Sequence, residues 1–302
     1  MKIQYIDRAT GNLITENPPG EFLLRFLYDN PFGKAAILPI AKRKFVTELY
    51  GRRMDRPSSV NKIQDFVDQL GIDMSESKKS ISEFTSFNDF FYRELKPDAR
   101  PIGQGFVSPG DGKLIAFENI SEVHSFFVKG KKFTLEAFLQ DAALAAQYAQ
   151  GSMLILRLAP NDYHRFHFPY AGTPAEAKKI HGSYYSVSPI AVTRNFAKVF
   201  VENKREYVTL KTKDLGDIIL APVGATMVGG IVETYEPGTP VAKGDEMGYF
   251  KFGGSTIVIL TKPGVLNIDP DLLQNTRNRM ETAVKMGETL GRILNSEGEG
   301  ER

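Results

Sequence analysis

Apolar residues recur along this chain with two different periods. Between Glu21 and Tyr28 (EFLLRFLY), Phe22, Leu23, Phe26 and Leu27 fall on one helical face, with Arg25 opposite; that is the spacing of an amphipathic helix. A second segment, Lys34 to Tyr50, sets Leu38, Ala41, Phe45, Val46 and Leu49 on one side and Lys42, Arg43 and Lys44 on the other. A third, Val60 to Leu70, follows Ser58 or Ser59 as N-cap and stops at Gly71. Ser86 or Asn88 opens a short helix around Asp89–Leu95, which Pro97 ends. Ahead of all of these, residues 1–17 form a polar lead with little periodicity. Past Arg100 the pattern turns strand-like. Gly112–Phe117, Ser125–Val128, Met153–Leu158, Tyr207–Lys211, Ile218–Val223, Thr226–Thr234 and Ser255–Leu260 are short apolar runs punctuated by glycine and proline. One helical interlude, Thr134–Ala149, interrupts them, and the tail from Glu281 reads as helix before turning polar. The pattern predicts an α+β fold: a helical N-terminal region, residues 1–100, on a mostly antiparallel β-sandwich or barrel-like body, residues 101–302.

Composition removes several classes of function. The 302 residues carry 38 basic and 36 acidic side chains, a net charge of +2, so no strong field draws nucleic acid. Cysteine is absent, which excludes disulfides, thiolate metal sites and a cysteine nucleophile together. Histidine chemistry must come from His124, His164, His167 and His181. The start, MKIQYIDRATGN, lacks the apolar core of a signal peptide. The longest apolar runs, such as AAILPIA from Ala35 to Ala41, fall well short of the ~18–20 residues of a membrane span. A soluble or peripheral protein is expected.

Chemistry concentrates in three segments. Ser108-Pro109-Gly110-Asp111-Gly112 precedes a strand, and an Asp between glycines is commonly a plain turn residue. Tyr163-His164-Arg165-Phe166-His167-Phe168-Pro169 holds two histidines three apart; alone they are half a zinc site, and no third ligand is near in sequence, so no metal is expected. Lys251-Phe252-Gly253-Gly254-Ser255-Thr256 leads into a strand. A glycine carbonyl followed at once by a serine hydroxyl allows close intramolecular attack, because Gly254 has no Cβ to obstruct it.

The joint order of these segments resembles the phosphatidylserine decarboxylase family. The matching stretches are FNDFFYRELKPDARPI (Phe87–Ile102), SPGDGKL (Ser108–Leu114), YHRFHFPYAG (Tyr163–Gly172), GSYYSVSP (Gly182–Pro189) and VAKGDEMGYFKFGGST (Val241–Thr256). The similarity runs from about residue 20 to about residue 265 and so covers most of the chain. Many members carry Leu-Gly-Ser-Thr where this chain has Gly253-Gly254-Ser255-Thr256, which leaves the subfamily open. The resemblance implies self-cleavage between Gly254 and Ser255, giving a large chain 1–254 and a small chain 255–302 that stay together as a heterodimer, with higher assembly open. It implies a covalent pyruvoyl group made from Ser255, whose ketone forms a Schiff base with the amine of phosphatidylserine and accepts the electrons released with CO2, yielding phosphatidylethanolamine. His167, oriented by Asp111, is then the base that activates Ser255, and His164 the proton donor to the α-carbon. Phe22, Leu23, Phe26 and Leu27, with the basic segment behind them, become candidates to lie in the bilayer interface. The expected location is peripheral, on the cytoplasmic face of a membrane. The same apolar stripe equally suits packing on the β body.

Two other readings remain. Val241-Ala242-Lys243-Gly244-Asp245-Glu246-Met247-Gly248 resembles a hairpin of barrel-sandwich carrier modules, although no lysine sits in the setting that a lipoyl or biotinyl carrier uses. A pyruvoyl decarboxylase of a soluble amino acid would share the same core motifs.

Overall fold

The segment Ser255–Leu260 reads STIVIL, and all six residues are buried. A strand apolar on both faces belongs in the middle of a covered sheet, and it lies there. The computed structural model describes residues 3–16, 21–30, 32–38, 44–123, 133–224, 230–253 and 255–294. Gly254, His124, Ala41, Lys42, Arg43, the strand expected at Ser125–Val128 and the side chain of Leu23 lie outside the described residues.

In chain order the strands are β1 (Ile3–Asp7), β2 (Leu13–Glu16), β3 (Phe106–Val107), β4 (Gly112–Phe117), β5 (Met153–Leu158), β6 (Arg165–His167), β7 (Thr173–Pro174), β8 (Lys178–Ile180), β9 (Arg205–Lys211), β10 (Asp217–Gly224), β11 (Ile231–Glu233), β12 (Glu246–Phe250), β13 (Ser255–Leu260), β14 (Leu266–Ile268), β15 (Glu281–Val284) and β16 (Thr289–Ile293). Among them the large sheet runs β2-β1-β15-β4-β5-β13-β10-β9-β7, with β8 also on β9; two three-stranded sheets run β11-β12-β6 and β14-β16-β3. Every described pairing is antiparallel except β1 with β15. The sheets stay open, so the expected α+β body is mixed and mostly antiparallel with no closed barrel among the described strands. Its main core gathers Leu154, Leu156, Val258, Ile259, Leu220 and Phe138.

The helices that matter here are α1 (Glu21–Asp29), α2 (Lys44–Met54), α3 (Ile63–Leu70), α4 (Phe87–Phe91) and α7 (Pro189–Glu202), with α5 (Leu135–Leu139) and α6 (Ala142–Tyr148) between them in the chain. Gly71 ends α3 in the left-handed conformation, and the Ser86 side chain caps α4 on the Asp89 N–H, both as the sequence predicts. A second apolar cluster joins Met54, Ile63, Phe84, Phe87, Phe90 and Phe91, and Phe252 packs against it. This N-terminal cluster therefore reaches directly to the segment that precedes Ser255.

Several elements differ from their sequence expectation: α7 was not expected, α4 runs Phe87–Phe91 rather than around Asp89–Leu95, and three further differences have a clear cause. The polar lead forms the β1–β2 hairpin, added to the edge of the large sheet along β15. Buried Arg157 on β5 holds it there, with bonds of 2.7 Å to Glu16 and 2.6 Å to Glu281. The tail from Glu281, read as helix, forms β15 and β16 instead. The single helix expected over Thr134–Ala149 breaks into α5 and α6, because Gln140 adopts a left-handed conformation and Asp141 caps a fresh start.

Candidate active site

Two stretches of chain cross together from one sheet to another. β5 leaves the large sheet, passes through residues 159–164 and enters the small sheet as β6; β12 leaves the small sheet and returns as β13. The strands stay paired on both sides of the crossing: Ser255 is opposite Leu158, Tyr249 is opposite Arg165, and the Phe250 N–H donates to the His164 carbonyl at 2.9 Å. The histidine segment and the segment that precedes Ser255 are thus neighbours because their flanking strands are. Gly253 sits at φ 141°, a conformation open to glycine and costly for other residues. Just before it, the Phe252 N–H donates to Asn88 Oδ1 at 2.8 Å, while the Phe252 ring packs on Phe87 and Phe91.

Ser255 opens β13 and is fully buried. Its Oγ has no hydrogen-bond partner among the described residues, a state shared by Thr256 Oγ1 and Thr261 Oγ1 on the same stretch of chain. A buried hydroxyl left unpaired costs about 1–3 kcal/mol, so Ser255 keeps both its proton and its lone pairs uncommitted at a price. Two residues after the positive-φ Gly253, that hydroxyl suits a group meant to react.

The two histidines hold different states. His164 is fully buried, its ring 3.8 Å from that of Phe91. Its Nδ1 bonds the Asp162 carbonyl at 2.9 Å, which only accepts, so the proton sits on Nδ1. Nε2 is left as a bare lone pair with no hydrogen-bond partner among the described residues. Burial pushes its pKa down to about 3, with the charges of Arg93 and Lys113 adding to the effect. His167 is held at both nitrogens: Nδ1 donates to the Gly244 carbonyl at 2.9 Å, and Nε2 accepts from the Tyr163 hydroxyl at 3.2 Å. Burial lowers its pKa as well.

Asp111 does not touch His167. Its carboxylate accepts from Arg100 Nε at 2.9 Å, from Arg100 Nη2 at 2.6 Å and from the Met286 N–H at 2.8 Å. The expected direct orientation of His167 by Asp111 is corrected accordingly. A buried carboxylate takes the guanidinium fork beside it, and the Gly244 carbonyl does the orienting. Asp111 still acts on the imidazole through space, favouring its charged form. The turn itself meets His167 through the backbone, where the His167 N–H donates to the Pro109 carbonyl at 2.7 Å.

Residues 87–292 match the family described as phosphatidylserine decarboxylase, and the match spans all five sequence stretches quoted above. The chain belongs to the phosphatidylserine decarboxylase family. Membership makes it an enzyme of the carboxy-lyase class. Curated relatives named phosphatidylserine decarboxylase proenzyme include one from Fusobacterium nucleatum, 54% identical over 97% of this chain and 99% of its own length. Others are from Desulfitobacterium hafniense, 44% identical over 96% and 98%, and from Chlamydia caviae, 45% identical over 97% and 99%.

Within this family framework the other motifs find their places. The Lys243-Gly244-Asp245 turn, compared above with carrier hairpins, delivers the carbonyl that holds His167, and Lys243 spends its ammonium on the carbonyls of Gly103 and Gly105. Sequence reasoning missed Asn88, Arg93, Arg100, Asp162 and Tyr163 as site residues. All five lie inside or beside the quoted motifs, and their polarity amid aromatic residues was the available signal. Of the apolar stripe on α1, Phe22 is 86% exposed whereas Leu27 is buried in the main core with Tyr28. For Leu27, then, packing on the body wins over contact with lipid.

Proposed function

We propose that this chain is a self-processing decarboxylase of phosphatidylserine, matured by cleavage between Gly254 and Ser255. The observation that carries the reading is the buried, uncommitted Ser255 Oγ at the head of the central strand, beside the crossing that bears both histidines. Attack of that oxygen on the preceding carbonyl converts the amide to an ester. Elimination leaves the large chain with a C-terminal carboxylate and the small chain with a dehydroalanine, and hydrolysis of the latter releases ammonia. The balance is one water consumed and one ammonia lost. His167 is the base for the Ser255 proton: its Nε2 carries the lone pair, and the Tyr163 hydroxyl now on that nitrogen must yield to serine or relay the proton.

A pyruvoyl group at Ser255 would supply an electron-accepting ketone for the substrate amine. The residues around it handle protons and position. His164 arrives neutral with Nε2 free, so it can accept a proton from the incoming ammonium and return one to the α-carbon. The anionic headgroup favours that charged state, opposing the burial that suppresses it beforehand. Phe91 against the imidazole restricts the ring to one orientation.

The lipid substrate is supported by the N-terminal surface. Phe22, Phe32, Ile37, Phe45 and Leu49 are exposed, close together in sequence, and followed by exposed Arg52 and Arg53. Apolar side chains backed by cations suit an anionic bilayer interface, and no described helix is long and apolar enough to cross a membrane. The deciding measurement is intact mass under denaturing conditions, on the purified protein and on Ser255→Ala. Two chains, the smaller one lighter than a serine-started 255–302 by the conversion to pyruvoyl, are expected for the first and one uncut chain for the second. A normally cleaved Ser255→Ala would sink the proposal.

A further inference from the structure

Arg93 follows α4 and is only 6% exposed, yet among the described residues its guanidinium makes no salt bridge and its Nε has no hydrogen-bond partner. Buried arginines elsewhere in the chain are matched: Arg100 by Asp111 and Glu76, Arg157 by Glu16 and Glu281, and Arg205 by four backbone carbonyls. The Phe90 ring, 5.3 Å from the Arg93 guanidinium carbon, compensates only in part. Two carboxylates are near enough to act on Arg93, and both are already taken. Asp111 holds Arg100, and Asp162 holds Lys113 at 2.8 Å and the Ala159 N–H at 2.7 Å. What remains is one unmatched positive charge whose field reaches the His164 imidazole. Arginine keeps its proton under such burial, so relief has to come from an anion that enters the site.

We propose that Arg93 is the residue that receives the phosphodiester of the substrate headgroup, an inference that rests on the function proposed above. The headgroup offers two anions, and the chemistry chooses between them. The carboxylate loses its charge as CO2 departs, so a guanidinium clamped on it would stabilise the ground state more than the transition state and slow the step. The phosphodiester keeps its charge throughout. Holding it costs the reaction nothing, anchors the headgroup a few bonds from the α-carbon, and matches the planar fork of arginine. The carboxylate is then left in the apolar surroundings of Phe91 and His164, where loss of charge is favoured.

The test uses processed enzyme carrying Arg93→Gln or Arg93→Lys, with two substrates in mixed micelles: phosphatidylserine and O-hexadecylserine, which keeps the amine and carboxylate but has no phosphate. The ratio of kcat/KM for the two substrates should fall on the order of 10- to 100-fold in Arg93→Gln, mainly through KM, and recover in part in Arg93→Lys. A second readout is binding alone: glycerophosphoethanolamine should raise the melting temperature of the unsubstituted protein but not of Arg93→Gln. An unchanged ratio with equal losses on both substrates would place the carboxylate on Arg93 and overturn the proposal. Failure of both variants to process would assign Arg93 to maturation and overturn it too. Failure of cyanoborohydride to link phosphatidylserine to the small chain of the unsubstituted protein would instead refute the pyruvoyl reading, and the melting-temperature arm would still decide the role of Arg93.

Discussion

Asn88 and Phe252 lie 164 positions apart and are joined by one short bond, from the Phe252 N–H to Asn88 Oδ1 at 2.8 Å. The other end of the same amide donates to Asp55 at 2.8 Å, so a fully buried side chain ties α2, α4 and the segment before Ser255 into one unit. Asn88→Ala would strand the Phe252 N–H, at a cost of about 1–3 kcal/mol, and loosen the chain two residues ahead of the proposed cleavage point. Self-cleavage is expected to slow by at least about tenfold with the fold retained, followed by denaturing gel over time. Unchanged cleavage kinetics would mean that this bond does not position the segment.

The histidines should separate by function. His167→Ala is expected to remain one uncut chain, because Ser255 loses its base. His164→Ala should be cut but release CO2 about 10²–10⁴-fold more slowly, the usual cost of a lost general acid. Asp111→Asn should also process poorly, and it should lose stability besides, because half of a buried pair with Arg100 has been removed, a loss of about 3–5 kcal/mol. A gel beside a CO2-release assay reads all three. If His164→Ala stays whole while His167→Ala matures, the two roles are reversed.

Acidification should destabilise the fold through the same two imidazoles. His164 has a folded pKa of about 3 against an ordinary value of 6.5, and His167 is lowered in the same direction. Below about pH 6.5 the unfolded chain therefore binds protons that the folded chain refuses, and stability falls as pH falls. Each histidine contributes a slope approaching about 1.4 kcal/mol per pH unit. Urea midpoints at pH 7.5 and 5.5 should differ, and His164→Gln should show a smaller difference. An equal difference in the variant would show that His164 is not held neutral.

For the membrane surface, Phe22→Ser combined with Phe45→Ser should weaken binding to vesicles containing phosphatidylserine while self-cleavage proceeds, since both side chains are exposed. Leu27→Ser is the contrasting case. Its side chain is in the core, and it should lower stability by about 2–5 kcal/mol. Vesicle binding unaffected by the first pair would remove α1 and α2 from the interface.

The parts of the site that were legible in the sequence are those whose chemistry is local. Gly253-Gly254-Ser255 and the His164–His167 pair carry their meaning in residue type and spacing. The partner of Asp111 was not legible, because choosing Arg100 over His167 is a matter of which donor the folded chain brings within 3 Å. The same holds for β1 and β15. Ile3–Asp7 (IQYID) is a short stretch in a polar lead, and Glu281–Val284 (ETAV) mixes helix and strand formers, so neither pattern decides the element; they are strands that pair with each other, far apart in sequence. The helix α7 was also missed, although Ser188 as N-cap and Pro189 at the first turn were signals present in the sequence.

The central position of β13 bears on what kind of object the mature protein would be. Scission after residue 254 would leave a short chain whose strands remain interleaved with those of the long one: β13 between β5 and β10, β15 between β1 and β4, and β16 beside β3. Both the large sheet and the β14-β16-β3 sheet would be shared between the fragments, and of the described sheets only β11-β12-β6 would lie within one of them. The two would not behave as subunits that meet, part and trade places, and a pool of one could not be used to titrate the other. Each molecule would retain for life the fragment with which it was synthesised, so its supply of active sites would be set once, at the moment of its own cut.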